Sequence, residues 1–212
     1  MFYKISKLFS STRVPSLAIQ ARTSTKRKQA GITLLELMIT VSILAVALTV
    51  VSPNIKDFLT KNRITGEINE ISGLIQYARH LSIDEQTPVT VCPSSNYSDC
   101  SNDWNDPKIA FIDRNGDGQR NDNEANANFE DLRIASTASS DSTTMTGPNA
   151  TIEFEENGVA SQGFTLLICP DTNDAKFARA VNVSLQGRVR VSKDTDGDGV
   201  HEKPDGSPLT CS

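Results

Sequence analysis

Two short acidic stretches hold the residues best suited to binding chemistry. In "DRNGDGQRNDNE", Asp113, Asn115, Asp117, the Gln119 carbonyl, Asn121 and Glu124 occupy the oxygen-donor positions of an EF-hand-type loop, with Gly118 at its sharp turn. Calcium takes six to eight oxygens, and this spacing can converge that many on one point. A strand-like segment precedes the stretch, and Asn-Gly and Asp-Gly are also hairpin dipeptides, so a solvated turn is the competing reading. "DTDGDGVHEKPD" repeats the pattern with Asp194, Asp196, Asp198, Glu202 and Asp205 around Gly199. Pro204 makes this second loop less regular, a solvated acidic loop competes, and His201 is a bystander in both readings.

A third candidate has the opposite charge. In "GRVR", Gly187 to Arg190, a strand would put Arg188 and Arg190 on one face, with Val189 and Val191 on the other. Two guanidiniums so spaced can grip successive phosphates through forked hydrogen bonds. Lys176, Arg179 and Lys193 could widen the patch. Arginine on an exposed strand is ordinary, however, and Asp194, Asp196 and Asp198 just beyond would oppose a polyanion unless calcium neutralised them. No nucleophile elbow, H-E-x-x-H, P-loop or dinucleotide loop is present, so no motif supports an enzyme.

The elements that position these residues begin with an uneven charge distribution. Lys4, Lys7, Arg13, Arg22, Lys26, Arg27 and Lys28 face no acid within residues 1–31, and these seven cations against a net charge of −5 leave −12 on the remainder. A basic head on an acidic body points to targeting, and the body would repel nonspecific nucleic acid. Residues 1–28 superficially suit an organellar transit peptide, although a long leader or an upstream start is simpler. From Ile32 to Ser52 run 21 residues with Glu36 as the only charge. As a helix this run spans roughly 30 Å, the thickness of a bilayer core. The Lys26–Lys28 cluster would keep the basic side cytoplasmic and send the bulk of the chain across.

Glu36 sits where a charge is costly. It can reach back to the interface, or it can wait for a partner. Cleavage after Gly31 would create an α-amino group on Ile32, four residues away, which could pair with Glu36 of a neighbouring subunit and set the register of assembly. Beyond Pro53, Ile55, Phe58, Leu59, Ile64, Ile68, Ile71, Leu74, Ile75, Ala78 and Leu81 recur at three- and four-residue steps, predicting a helix to residue 86 with Lys61, Arg63, Glu67 and Arg79 toward water. Residues 87–212 then read as short strands: "PVTVC", "KIAFI", "LRIAS", "TIEF", "FTLLIC", "RAVNVS" and "GRVRV". Residues 136–150 read as a polar surface loop. Cys92, Cys100, Cys169 and Cys211 suit disulfides in an oxidising compartment, with three pairings open and the sequence-neighbour pairs favoured. The expected fold is α+β, a long N-terminal helix packed on an antiparallel β-sheet domain.

With these residues in view, "AGITLLELMI" resembles the processing signal of type IV pilin-like proteins, which join a basic leader, a glycine, a cleavage point and an apolar helix with glutamate at mature position five. The resemblance implies that a prepilin peptidase cuts between Gly31 and Ile32 and methylates Ile32, and that Pro53 kinks the helix. It also implies a single-pass bacterial inner-membrane protein, with its C-terminal domain in the periplasm, joining other pilin or pseudopilin subunits. Cys92, Cys100, Trp104, "AFIDRNGDGQRNDNE", "FTLLIC" and "VSLQGRVRV" are similar to the GspH/FimT branch of minor pilins and pseudopilins. The usual Trp-x-x-Gly is Trp104-Asn-Asp-Pro107 here. The branch implies a filament component of a type II secretion or type IV pilus machine; its FimT members imply double-stranded DNA as a partner of Gly187, Arg188 and Arg190.

Overall fold

The computed structural model describes residues 31–212 except residues 124, 126–128, 150 and 212, and leaves aside the side chains of residues 50–54. The leader therefore lies outside the described residues, as does Glu124. The chain divides into two units, Met1–Val46 and Ala47–Ser212.

Helix α1 runs from Leu34 to Glu85, within a residue or two of the predicted span. Its start is dictated locally: Thr33 Oγ1 accepts the Glu36 amide at 3.2 Å, the arrangement expected of a Thr-x-x-Glu cap. Glu36 also lies in the first turn, where the helix dipole favours an acid. At the other end Gln86 turns left-handed, with φ 50°, and the Thr87 amide closes on the Ser82 carbonyl at 3.3 Å. This is a Schellman closure, and Pro88 follows it. Among the described residues, no helix is long and apolar enough to cross a membrane. The expected span, 32–52, runs into the side chains outside that set.

In the second unit two four-stranded antiparallel sheets pack with the later part of α1. Strands β1 (Val89–Pro93), β2 (Lys108–Ile112), β3 (Leu132–Ala135) and β5 (Ile152–Phe154) form one sheet, in the order β3-β2-β1-β5. Strands β4 (Thr143–Thr146), β6 (Phe164–Pro170), β7 (Arg179–Val183) and β8 (Val189–Val191) form the other, in the order β4-β6-β7-β8. The helix stripe Ile64, Ile68, Ile71, Leu74, Ile75, Ala78 and Leu81 is buried in one cluster with residues such as Val91, Ile112, Phe154, Leu166 and Val181. Each large aliphatic side chain so buried contributes roughly 1.5–3 kcal/mol. Cys92 joins Cys100 and Cys169 joins Cys211, the sequence-neighbour pairing.

Several expectations need correction. The stretch 136–150 is not all surface loop, because β4 lies inside it with Thr143 and Met145 buried and Thr144 and Thr146 exposed. Its alternation was hidden because the inward positions hold one threonine and one methionine rather than aliphatics. The helix stripe begins later than its period suggested: Ile55, Phe58 and Leu59 are 49–63% exposed. Glu67 and Arg79 do not simply face water. Glu67 Oε1 accepts from the Ser140 amide at 3.1 Å and from the Thr143 hydroxyl at 2.7 Å. Trp104 is buried without the usual glycine three residues on, its indole N–H donating to the Pro148 carbonyl at 2.8 Å. Gly147 accommodates it, since a Cβ there would lie 2.6 Å from the Trp104 ring.

Candidate functional site

The first acidic loop closes on its own amides. Asp113 is buried at the end of β2 and accepts from the amides of Gly116 (2.7 Å) and Gly118 (2.9 Å), and from the Thr90 hydroxyl (3.0 Å). Both glycines have φ near +70°, a conformation other residues resist. Among the described residues, the carboxylates brought together are Asp113, Asp117 and Glu130; Glu124 of the expected set lies outside them. Glu130 is fully buried and accepts from the Arg114 amide at 3.0 Å and the Asn121 amide at 2.9 Å. Asn121 is thus occupied in holding Glu130. Asn115 and the Gln119 amide bond to Asp117 at 2.8 Å each.

The second loop repeats this construction. Asp194 accepts from the amides of Gly197 (2.7 Å) and Gly199 (3.0 Å), and buried Glu202 accepts from the Thr195 amide at 2.8 Å. Asp194, Asp196, Asp198 and Glu202 can each bring a carboxylate oxygen within 4.8 Å of the others. Those four carboxylates could supply oxygen ligands to a hard cation such as calcium. Asp205 stands apart, accepting from the Ser207 hydroxyl and amide, which lower its pKa. His201 Nδ1 meets the Ser192 carbonyl at 2.8 Å; burial, then Arg179, pushes its pKa below the usual value.

The basic residues separate into two groups. Lys176 is ion-paired with Asp174 (3.3 Å) and Asp57 (3.4 Å), and the Asp174 carboxylate raises its pKa. Arg179 donates to the Ala178 and Lys176 carbonyls at 2.6 and 3.1 Å, and burial lowers its pKa against the pull of Asp194. Neither is among the described residues that line the two grooves shared by the GRVR arginines. Lys193 does, lining an open hollow with Arg190, although its backbone bridges to Glu202. Arg188 lies in the turn before β8 rather than within it, so the strand expected across all of GRVRV is shorter. Arg188 and Arg190 nevertheless line the same two grooves. One, of about 630 Å³, includes Thr165, Asn182 and Gln186 from the second sheet. The other, of about 290 Å³, includes Gln76, Arg79 and His80 from α1. Sequence reasoning missed Arg79 and His80 because on a helix surface they read as solvated.

A helix with an apolar leading half and a trailing half packed on an antiparallel β body defines a type IV pilin-like protein. The family model described as "Type II transport protein GspH" matches residues 67–187, and the "Prokaryotic N-terminal methylation motif" matches residues 26–52. The chain belongs to the GspH family. No curated protein matches it. Among solved structures it is similar to the type IV minor pilin FimU of Pseudomonas aeruginosa, at 14% identity and a TM-score of 0.49, over 73% of this chain and 99% of that one. It is also similar to the minor pseudopilin EpsH of the Vibrio cholerae Type 2 Secretion System, at 10% identity and a TM-score of 0.42, over 61% and 95%.

Proposed function

We propose that this chain is a filament subunit of a type II secretion or type IV pilus machine, cut by a prepilin peptidase between Gly31 and Ile32 and anchored in the bacterial inner membrane with its β body in the periplasm. One observation carries the reading. From Ile32 to Leu48, the large apolar residues, Ile32, Leu34, Leu35, Leu37, Met38, Ile39, Val41, Ile43, Leu44, Val46 and Leu48, are all 51–78% exposed. An apolar surface of that extent requires a lipid or protein cover. Gly31 and Ile32 precede the helix and are exposed, and a Cβ at Gly31 would meet nothing within 4 Å. Among the described residues nothing gives that glycine a steric role, which supports one in recognition by the peptidase. Glu36 then pairs with the new Ile32 amine of a neighbour.

Intact mass and N-terminal sequencing of the protein from cells with and without the peptidase test the processing. A chain that stays uncut in peptidase-positive cells would sink it. Normal recovery of Glu36→Ala in sheared filaments would sink the charge pairing.

A second reading, double-stranded DNA binding through Arg188 and Arg190, is favoured by one observation: neither groove lined by both arginines includes a carboxylate, although the chain is acidic overall. With about three phosphates contacted, affinity should fall roughly forty-fold between about 50 and 200 mM salt. Duplex binding that survives Arg188→Ala/Arg190→Ala would refute this reading.

A further inference from the structure

Resting on that second reading, we infer that Arg79 and His80 of α1 form the far wall of the same phosphate-binding groove, and that Arg79 is held ready to contact the nucleic-acid backbone. Arg79 Nε donates to the Gly158 carbonyl at 3.0 Å. Its stem is packed by two glycines: a Cβ at Gly158 would lie 3.4 Å from Arg79 Cγ, and one at Gly187 would lie 2.5 Å from Arg79 Nε and 2.2 Å from the Gly158 carbonyl oxygen. Both glycines have φ above +70°, so the turns are shaped to receive this side chain. The glycine of GRVR therefore has a physical task. It lets the turn carrying Arg188, and β8 carrying Arg190, approach the helix closely enough for Arg79 to line their groove.

The donors around this groove are unspent. Among the described residues, the hydrogen bonding of Arg79 stops at Nε, and the guanidinium groups of Arg188 and Arg190 bond to no protein acceptor. Arg133, by contrast, is ion-paired with Glu85, and Lys176 with two aspartates. A guanidinium fixed through Nε keeps both η nitrogens for a bidentate phosphate contact with little further ordering cost. Among the described residues His80 is the only ring lining this groove, with no Phe, Tyr or Trp beside it, so the run of stacking platforms that single strands use is missing. The chemistry that fits is the phosphodiester backbone of a duplex, gripped between a helix wall and a strand wall.

The test measures binding of an approximately 30-base-pair duplex to the full chain in detergent, across about 50 to 200 mM salt, for wild type, Arg79→Gln, His80→Gln, Gly187→Ala and Arg188→Ala/Arg190→Ala. Arg133→Gln serves as a control for net charge, and melting temperatures show which variants stay folded. Arg79→Gln should weaken binding roughly tenfold and reduce the log–log salt slope by about one, and Gly187→Ala should follow it. Arg133→Gln should leave the slope unchanged. If Arg79→Gln does not fold, His80→Gln, at an exposed position, decides by a loss of affinity. Loss of binding in Arg188→Ala/Arg190→Ala with wild-type affinity for Arg79→Gln and His80→Gln overturns this inference and leaves the two-arginine reading standing. No duplex binding by wild type, or binding to phosphatidylglycerol vesicles in place of DNA, overturns both.

Discussion

Removing the Cys169–Cys211 disulfide should be the most destabilising change available outside the hydrophobic core. The bond spans 42 residues and encloses β7, β8 and the second acidic loop. Chain-entropy reasoning for a loop of that length gives about 4 kcal/mol, against about 2.6 kcal/mol for the eight-residue separation of Cys92 and Cys100. Leu209, buried with Ala178 and Ala180, still ties down the segment when the bond is gone, so the loss should stay near the entropic figure. The perturbation is the double replacement Cys169→Ser/Cys211→Ser, which leaves no unpaired thiol to exchange. Thermal melts of the full chain should show a drop of roughly 8–16 °C, against roughly 5–10 °C for Cys92→Ser/Cys100→Ser. A larger loss for the shorter loop would refute the entropic reasoning and place the stabilisation in local packing around Cys92.

Three further outcomes are expected. Gly147→Ala would set a Cβ 2.5 Å from Leu166 Cδ2 and 2.6 Å from the Trp104 ring, an overpacking worth roughly 1–3 kcal/mol; because Trp104 is the sole tryptophan, its fluorescence should shift together with the melting temperature. Lys108 is buried, and desolvation lowers its pKa below the ordinary 10.5; the unfolded chain then holds the proton to higher pH, so wild-type stability should rise relative to Lys108→Met as pH climbs through the folded pKa toward 10.5, and a difference that stays flat all the way to 10.5 would contradict the burial argument. Calcium should raise the melting temperature by relieving repulsion among Asp194, Asp196, Asp198 and Glu202, a chelator should reverse the gain, and Asp196→Asn/Asp198→Asn should abolish most of it, whereas Asp205→Asn should not.

What the sequence made legible follows the strength of each local signal. The α1 stripe and strands such as "KIAFI" and "FTLLIC" stood out because aliphatic side chains recur at the period of their element. The acidic loops stood out because Asp-x-Asn/Asp-Gly-Asp-Gly combines turn glycines with side chains that bond neighbouring amides. Their partners did not. Glu130 is one glutamate in a polar stretch, and nothing local distinguishes it from a solvated residue; only the fold brings it beneath Asp113 and the Arg114 amide. Strand β4 was hidden because its amides pair with β6 through residues of weak hydrophobic signal. Arg79 and the GRVR turn are over a hundred residues apart, and their approach depends on two glycines whose role appears only in three dimensions.

One helix is thus judged by two different examiners. From Ile64 to Leu81 a substitution is felt by the chain's own core, and a melting experiment on the isolated subunit would register it. Between Ile32 and Leu48 the large apolar side chains are more than half exposed, so swapping one aliphatic for another there should leave the melt unchanged. A saturation scan scored by stability would therefore map those positions as indifferent, while the same library scored by recovery in filaments would map them as exacting. Comparing the two maps residue by residue would show where along α1 responsibility passes from the subunit to its surroundings.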